Sequence, residues 1–302
     1  MKTHPDGHPM RRLIGMSAPL VTPFTDNFAV DWPRFTAHAR SLLGRGMNVV
    51  TAFGTTGEGV SIPLSERTEL YDRTGAAGIS PSQLVECVYG PSSKDAGQHM
   101  RRSLAAGCAG ILLTPPFYIK NVSDDGVFAW FAEVFETAGS GARDVILYNI
   151  PALTGVTIGA ALTTRLREAF PDVIAGVKDS SGNWEHTSAL LAAHRDLTIL
   201  VGHEGHLAAA VRNGAAGAIS GISNIGPALV AKLVRGEDAP IIDEVLRQVL
   251  ALPVLPAIKA VLAAQTGDVA WRRVRAPLMS LSSPVDLAAW EPDDIAGYLD
   301  SS

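Results

Sequence analysis

Val173-Ile174-Ala175-Gly176-Val177-Lys178-Asp179 sets five apolar residues in succession and closes them with a lysine and an acid. Apolar residues at consecutive rather than alternate positions are what a parallel strand buried on both faces requires. Other short runs have the same character, at 13–18, 47–53, 84–89, 110–114, 145–148, 197–201 and 216–220. Longer amphipathic stretches separate them, at 32–43, 65–77, 93–106, 123–138, 160–169, 184–193 and 207–213. Hydroxyls and acids satisfy free N–H groups at helix starts, which marks Ser65 before Glu66, Ser93 before Asp95 and Ser123 before Asp124. Gly44 and Gly214 suit helix ends.

Strand and helix in regular alternation predict an α/β fold, a (β/α)8 TIM barrel. A doubly wound open sheet is the competing architecture. No GxGxxG follows the first strand, which counts against its dinucleotide-binding form. Beyond Gly226 the pattern turns to helices alone, at 227–234, 241–252, 256–264 and 271–279, with a Pro253-Val254-Leu255-Pro256 break. The expected organisation is a barrel over 1–225 and a C-terminal helical extension over 226–302.

The 302 residues are 47% hydrophobic and 18% charged, which suits a large core and excludes disorder. A net charge of -5 without a basic stripe argues against a nucleic-acid partner. Cys87 and Cys108 are too few for a disulfide framework and read as buried, reduced thiols. Residues 1–12 are polar and lack the apolar core of a signal peptide, and no run approaches the ~18 apolar residues of a membrane span. The expected location is the cytoplasm.

A barrel of this kind carries its site at the C-terminal strand ends. Strand two runs into Gly54-Thr55-Thr56-Gly57-Glu58, strand four into Thr114-Pro115-Pro116-Phe117-Tyr118, and strand five into Tyr148-Asn149-Ile150-Pro151. Strand six closes on Lys178-Asp179, strand seven on Gly202-His203-Glu204, and strand eight on Ser220-Gly221-Ile222. An amine held against apolar walls at such an end is disfavoured as ammonium, and a neutral amine attacks a ketone to form an imine. The bland alternative is a lysine snorkelling from the barrel rim. Tyr148 ends the neighbouring strand, and adjacent strands lie about 4.8 Å apart, so its phenol can reach the imine and move protons. Taken singly, such a tyrosine is ordinary packing; the pairing is the informative feature. Thr55 and Thr56 offer hydroxyls and backbone N–H groups on a glycine-relaxed turn that can cradle a carboxylate, where the bland reading is an ordinary turn.

These motifs resemble the dihydrodipicolinate synthase / N-acetylneuraminate lyase family of barrel aldolases, in order and spacing, over nearly the whole chain. The resemblance implies a class I pyruvate-dependent aldolase in which Lys178 forms an imine with pyruvate or another 2-keto acid. It implies that Tyr148 shuttles protons with Thr55 bonded to it, and that Thr55 and Thr56 hold the pyruvate carboxylate. Tyr118 resembles the tyrosine that the family lends across a dimer interface. The resemblance also implies a homotetramer or homodimer, and pyruvate plus an aldehyde as substrates, with no cofactor.

The family's synthases place an arginine two residues after the proline of the tyrosine motif; here Leu153 stands there, and leucine cannot pair with a second substrate's carboxylate. The Ala152-Leu153-Thr154-Gly155 run looks like the lyase branch. That branch holds sugar hydroxyls with an acid pair after strand seven, where this chain has Glu204-Gly205, and tends to carry a serine where this chain has Gly221. With Gly202, Glu204, Ser220 and Leu153 lining the aldehyde end, the expectation is cleavage or formation of a 2-keto-3-deoxy sugar acid or related 2-keto acid. The competing expectations are dihydrodipicolinate synthesis, a Schiff-base dehydratase, and an idle barrel that binds a keto acid and regulates a partner. His203 and His206 stand three apart rather than the four of HExxH, so no metal is expected.

Overall fold

The computed structural model describes residues 15–281. Eight parallel strands close into one barrel in chain order: β1 (Met16–Pro19), β2 (Val49–Ala52), β3 (Leu84–Val88), β4 (Gly110–Leu113), β5 (Val145–Asn149), β6 (Ile174–Asp179), β7 (Thr198–Val201) and β8 (Gly217–Ile219). The TIM barrel is therefore the fold of this chain. Residues 13 and 14 of the first apolar run, and 282–302 of the expected extension, lie outside the described residues.

The consecutive apolar pattern has the cause assigned to it. One set of strand side chains, among them Val49, Val85, Cys87, Leu112, Ile146, Tyr148, Leu200 and Ile219, fills the barrel interior. The alternate set, including Ala18, Val50, Ala52, Leu113, Leu147, Val177 and Val201, packs outward on the helices. Each fully buried aliphatic side chain is worth roughly 1.5–3 kcal/mol, so burial on both faces rewards apolar residues at every position.

The helices are α1 (Trp32–Gly44), α2 (Leu64–Arg67), α3 (Leu70–Ala76), α4 (Ser93–Ala105), α5 (Asp124–Ala138), α6 (Pro151–Thr154), α7 (Ala160–Ala169), α8 (Trp184–Ala193), α9 (Glu204–Arg212), α10 (Pro227–Val234), α11 (Ile241–Leu250) and α12 (Val254–Thr266). Ser123 caps α5 by accepting from the Gly126 amide. Two expected starts are corrected. Ser92, not Ser93, caps α4, and Ser65 lies inside α2, which begins at Leu64 behind Pro63. The 65–77 stretch is two short helices, and α9 starts three residues earlier than its apolar periodicity, at Glu204. The 271–279 segment is no α-helix: a short 3-10 turn at Val269–Arg272 gives way to irregular chain with a turn at Ala276 and Pro277. α10 packs on α9 and beside β1, while α11 and α12 continue against α9 and the 3-10 turn that follows β8. Among the described residues no single helix is long and apolar enough to cross a membrane; α11 and α12 pass that test only as a pair bent by 115°.

Candidate active site

β5 and β6 run in a register that sets Tyr148 beside Lys178 and Asn149 beside Asp179. Side chains alternate along a strand, so the first pair and the second face opposite ways. Asn149 and Asp179 point outward and lock the strand ends. Asn149 Nδ2 donates to Asp179 Oδ1 at 2.8 Å, and Asn149 Oδ1 accepts the Ile158 amide at 2.9 Å. Asp179 also accepts from Thr187 Oγ1 at 2.6 Å and from the Ser181 amide at 3.0 Å. A carboxylate this fully engaged is structural.

Lys178 and Tyr148 point inward and are buried, 5% and 2% exposed. Lys178 Nζ donates to Tyr148 Oη at 3.2 Å and lies 4.3 Å from the centroid of that ring. Tyr148 Oη stands 3.2 Å from Thr55 Oγ1. Amine, phenol and threonine hydroxyl thus form one contiguous polar line on an apolar floor, at the C-terminal mouth of the barrel.

The turn that carries Thr55 is held under tension. Phe53 and Glu58, neither a glycine, bracket it with φ of 55° each. Left-handed backbone at such residues costs of order 1 kcal/mol apiece, and is kept only where surroundings enforce it. Gly57 is required because a Cβ there would lie 2.5 Å from the Leu20 carbonyl oxygen. Glu58 is the enforcing contact: its carboxylate is buried against Lys259 from α12, and its Oε2 accepts the Arg275 amide at 2.8 Å. Lys259 Nζ further donates to the Arg273 carbonyl at 2.6 Å and sits 4.3 Å from the Phe24 ring centroid. Burial pushes the Lys259 amine down to about 8, with Glu58 opposing that fall.

The other expected residues are placed as follows. Glu204 opens α9, buried, and its Oε1 accepts from Ser220 Oγ at 2.5 Å and from the Ile222 amide at 3.4 Å. Gly202 donates its amide to the Asp179 carbonyl at 2.8 Å, and Ser180 stands where a Gly202 side chain would be. Thr56 lies on the turn within 3.5 Å of where a Gly221 Cβ would stand. Leu153, on α6, and Tyr118, beyond β4, are 59% and 80% exposed. His203 and His206 have ring centroids 4.6 Å apart; among the described residues no group of three or more His, Cys, Asp or Glu forms a metal-binding set. Burial, with His203 nearby, lowers the His206 imidazole below its ordinary value.

Sequence reasoning passed over Lys259 and Tyr89. Lys259 carries no local signal, since an isolated lysine on a helix ordinarily faces solvent. Tyr89 had one: it closes the third apolar run as Tyr148 closes the fifth.

A family model for the dihydrodipicolinate synthetase family matches residues 12–285. The chain belongs to that family. It is 32% identical, over 89% of its length and 92% of the relative's, to an uncharacterised DapA-like lyase of Chloroflexus aurantiacus. It is 28% identical, over 90% and 93%, to the 4-hydroxy-tetrahydrodipicolinate synthase of Porphyromonas gingivalis. The crystal structure of a dihydrodipicolinate synthase from Agrobacterium tumefaciens superposes with a TM-score of 0.88 at 46% identity, covering 94% of this chain and 96% of that one. A 2-keto-3-deoxygluconate aldolase variant from Sulfolobus solfataricus shares the fold at a TM-score of 0.77 and 21% identity, over 94% and 96%. This family member is accordingly a lyase built on a TIM barrel.

Proposed function

We propose that this chain is a pyruvate-dependent class I aldolase that works through a Schiff base on Lys178 and cleaves or forms a 2-keto-3-deoxy sugar acid or a related 2-keto acid. The 3.2 Å approach of Lys178 Nζ to Tyr148 Oη, inside an apolar mouth, carries the reading. The uncharged amine adds to C2 of the keto acid, and loss of water leaves a protonated imine. In the cleavage direction the C4 hydroxyl gives its proton to a base, the C3–C4 bond breaks, and its electron pair enters the imine to give an enamine. An aldehyde leaves. Protonation at C3 and hydrolysis then release pyruvate and free Lys178. Tyr148, in contact with both Lys178 and Thr55, is the group that moves those protons.

Thr55 and Thr56 hold the carboxylate on the turn that Glu58 and Lys259 brace. Leu153 presents no charge to a second carboxylate, which favours a polyol aldehyde over aspartate semialdehyde. Glu204, tied to Ser220, is the acid on the aldehyde side. Tyr118, 80% exposed, and Ile119, 70% exposed, form the surface at which a second copy meets the chain in a homodimer or homotetramer.

Borohydride reduction in the presence of pyruvate is expected to leave a pyruvyl adduct on Lys178, seen by peptide mass spectrometry and missing from Lys178→Ala. An equal adduct in that variant, or none in the native protein, refutes the mechanism. Deuterium appearing in the pyruvate methyl group by NMR separates turnover from mere binding, and pyruvate release across a panel of 2-keto-3-deoxy acids identifies the aldehyde.

A further inference from the structure

Tyr89 follows β3 and packs with the barrel-interior cluster that contains Tyr148. Its Oη is buried, and no protein group is in hydrogen-bond geometry with it. Burial, the largest influence, keeps the phenol protonated; Cys87 and Tyr148 act in the same direction, and Thr55 opposes them. A buried O–H without an acceptor carries a desolvation penalty that a native fold seldom tolerates without a use for it.

The seat of this ring is built. A Cβ on Gly59 would come 2.8 Å from Tyr89 Cε2 and would drive into the Phe53 carbonyl, so only glycine fits there. The buried Arg67 guanidinium lies 5.3 Å from the Tyr89 ring centroid. It donates to the carbonyls of Ile62 at 3.1 Å and Cys87 at 3.2 Å, and also to that of Gly59. One arginine therefore ties the end of the Gly54–Gly59 turn to β3, and the phenol is fixed against the turn that carries Thr55 and Thr56.

We propose that Tyr89 is a substrate-contacting residue whose free O–H donates to the carboxylate of the 2-keto acid held beside Thr55. The inference rests on the pyruvate reading above and adds to it a residue that directly follows the chain's own third strand. A phenol suits this contact, because it donates without adding a cationic charge that would compete with the imine for the carboxylate. Hydrogen bonds to charged acceptors are strong enough that losing one weakens binding roughly tenfold or more.

Tyr89→Phe removes the hydroxyl and keeps the ring on Gly59 and Arg67. Pyruvate binding to the native protein and to this variant is measured by ligand-observed NMR, which registers binding whether or not an imine forms. Pyruvamide, whose carboxylate is replaced by a neutral amide, is titrated in parallel. The expected result is a roughly tenfold weaker pyruvate Kd in Tyr89→Phe, a melting temperature of the ligand-free protein that is no lower than native, since the variant sheds an unsatisfied buried hydroxyl, and a smaller preference for pyruvate over pyruvamide. Equal pyruvate Kd values, or an equal loss for both ligands, would overturn the assignment. Borohydride trapping on the same samples keeps the two claims apart. A missing adduct on native Lys178 overturns the Schiff base while the binding comparison still decides Tyr89; no pyruvate binding by the native protein overturns both.

Discussion

Replacing Lys259 by methionine should destabilise the protein and loosen the turn that carries Thr55 and Thr56 together. Both side chains of the Lys259–Glu58 pair are fully buried. Removing one partner of such a pair leaves an uncompensated charge in a low-dielectric interior and costs about 3–5 kcal/mol. A protein of this kind has only about 5–15 kcal/mol of net stability, so the loss is a large share of the total. The Arg275 amide remains as a donor to Glu58, which caps the damage rather than cancelling it. Urea unfolding of Lys259→Met should show the loss, and Lys259→Met with Glu58→Gln should regain much of it, because the double variant buries no net charge. The pH dependence carries a sign. The folded amine titrates at about 8 against an ordinary value of 10.5, so the unfolded chain binds more protons between them. The contribution of Lys259 is thus complete above 10.5 and is lost as pH falls through about 8. The stability gap between native protein and Lys259→Met should widen as pH rises across that window. Its half-saturating pyruvate concentration should also rise, since Glu58 closes the turn that bears Thr55 and Thr56. A Lys259→Met protein as stable as the native one, with a flat gap from pH 8 to 10.5, would refute the reasoning.

Tyr148→Phe should retain the Lys178 adduct in borohydride trapping while lowering kcat by roughly 10²–10⁴-fold, the range for a lost proton-transfer group; a kcat within a few-fold of native would remove Tyr148 from the chemistry. His38 should make the fold acid-sensitive. Burial, only partly offset by its bond to Asn224 and reinforced by Arg45, pushes the imidazole down to about 4. The folded value lies below the ordinary 6.5, so the stability His38 contributes is complete above 6.5 and is lost as pH falls through about 4. His38→Gln, compared with the native protein in urea melts from pH 7 to 4, should show a shallower fall; parallel curves would count against it.

The strands and the amine were legible in the chain because their causes are local or periodic. A strand buried on both faces must be apolar at each position, so the runs around Val145 and Val173 announce themselves, and whatever polar residue closes such a run is pushed to the barrel mouth. Capping is less legible. Ser92 and Ser93 are chemically alike, and which one caps α4 depends on backbone angles that sequence spacing does not fix. Glu86 shows the same limit inside a strand: a carboxylate in an apolar run is tolerated because His99, Ser103 and Tyr71 converge on it from α3 and α4, at 2.6, 2.6 and 2.7 Å. Burial opposes its ionisation, yet those partners hold the carboxyl below its ordinary range.

The amino-acid sequence by itself determined the barrel and the order in which Thr55, Tyr148 and Lys178 arrive at one face of it, since alternation and apolar run length are properties of neighbours along the chain. Only the tertiary structure decided that Lys259 answers Glu58 across 201 residues, that Arg67 ties the turn to β3, and that Tyr89 reaches the mouth with its hydroxyl unclaimed. Those facts come from closure. When eight strands curl until the last pairs with the first, residues with no sequence relationship are forced within a few ångströms of one another, and burial then makes the identity of each partner matter.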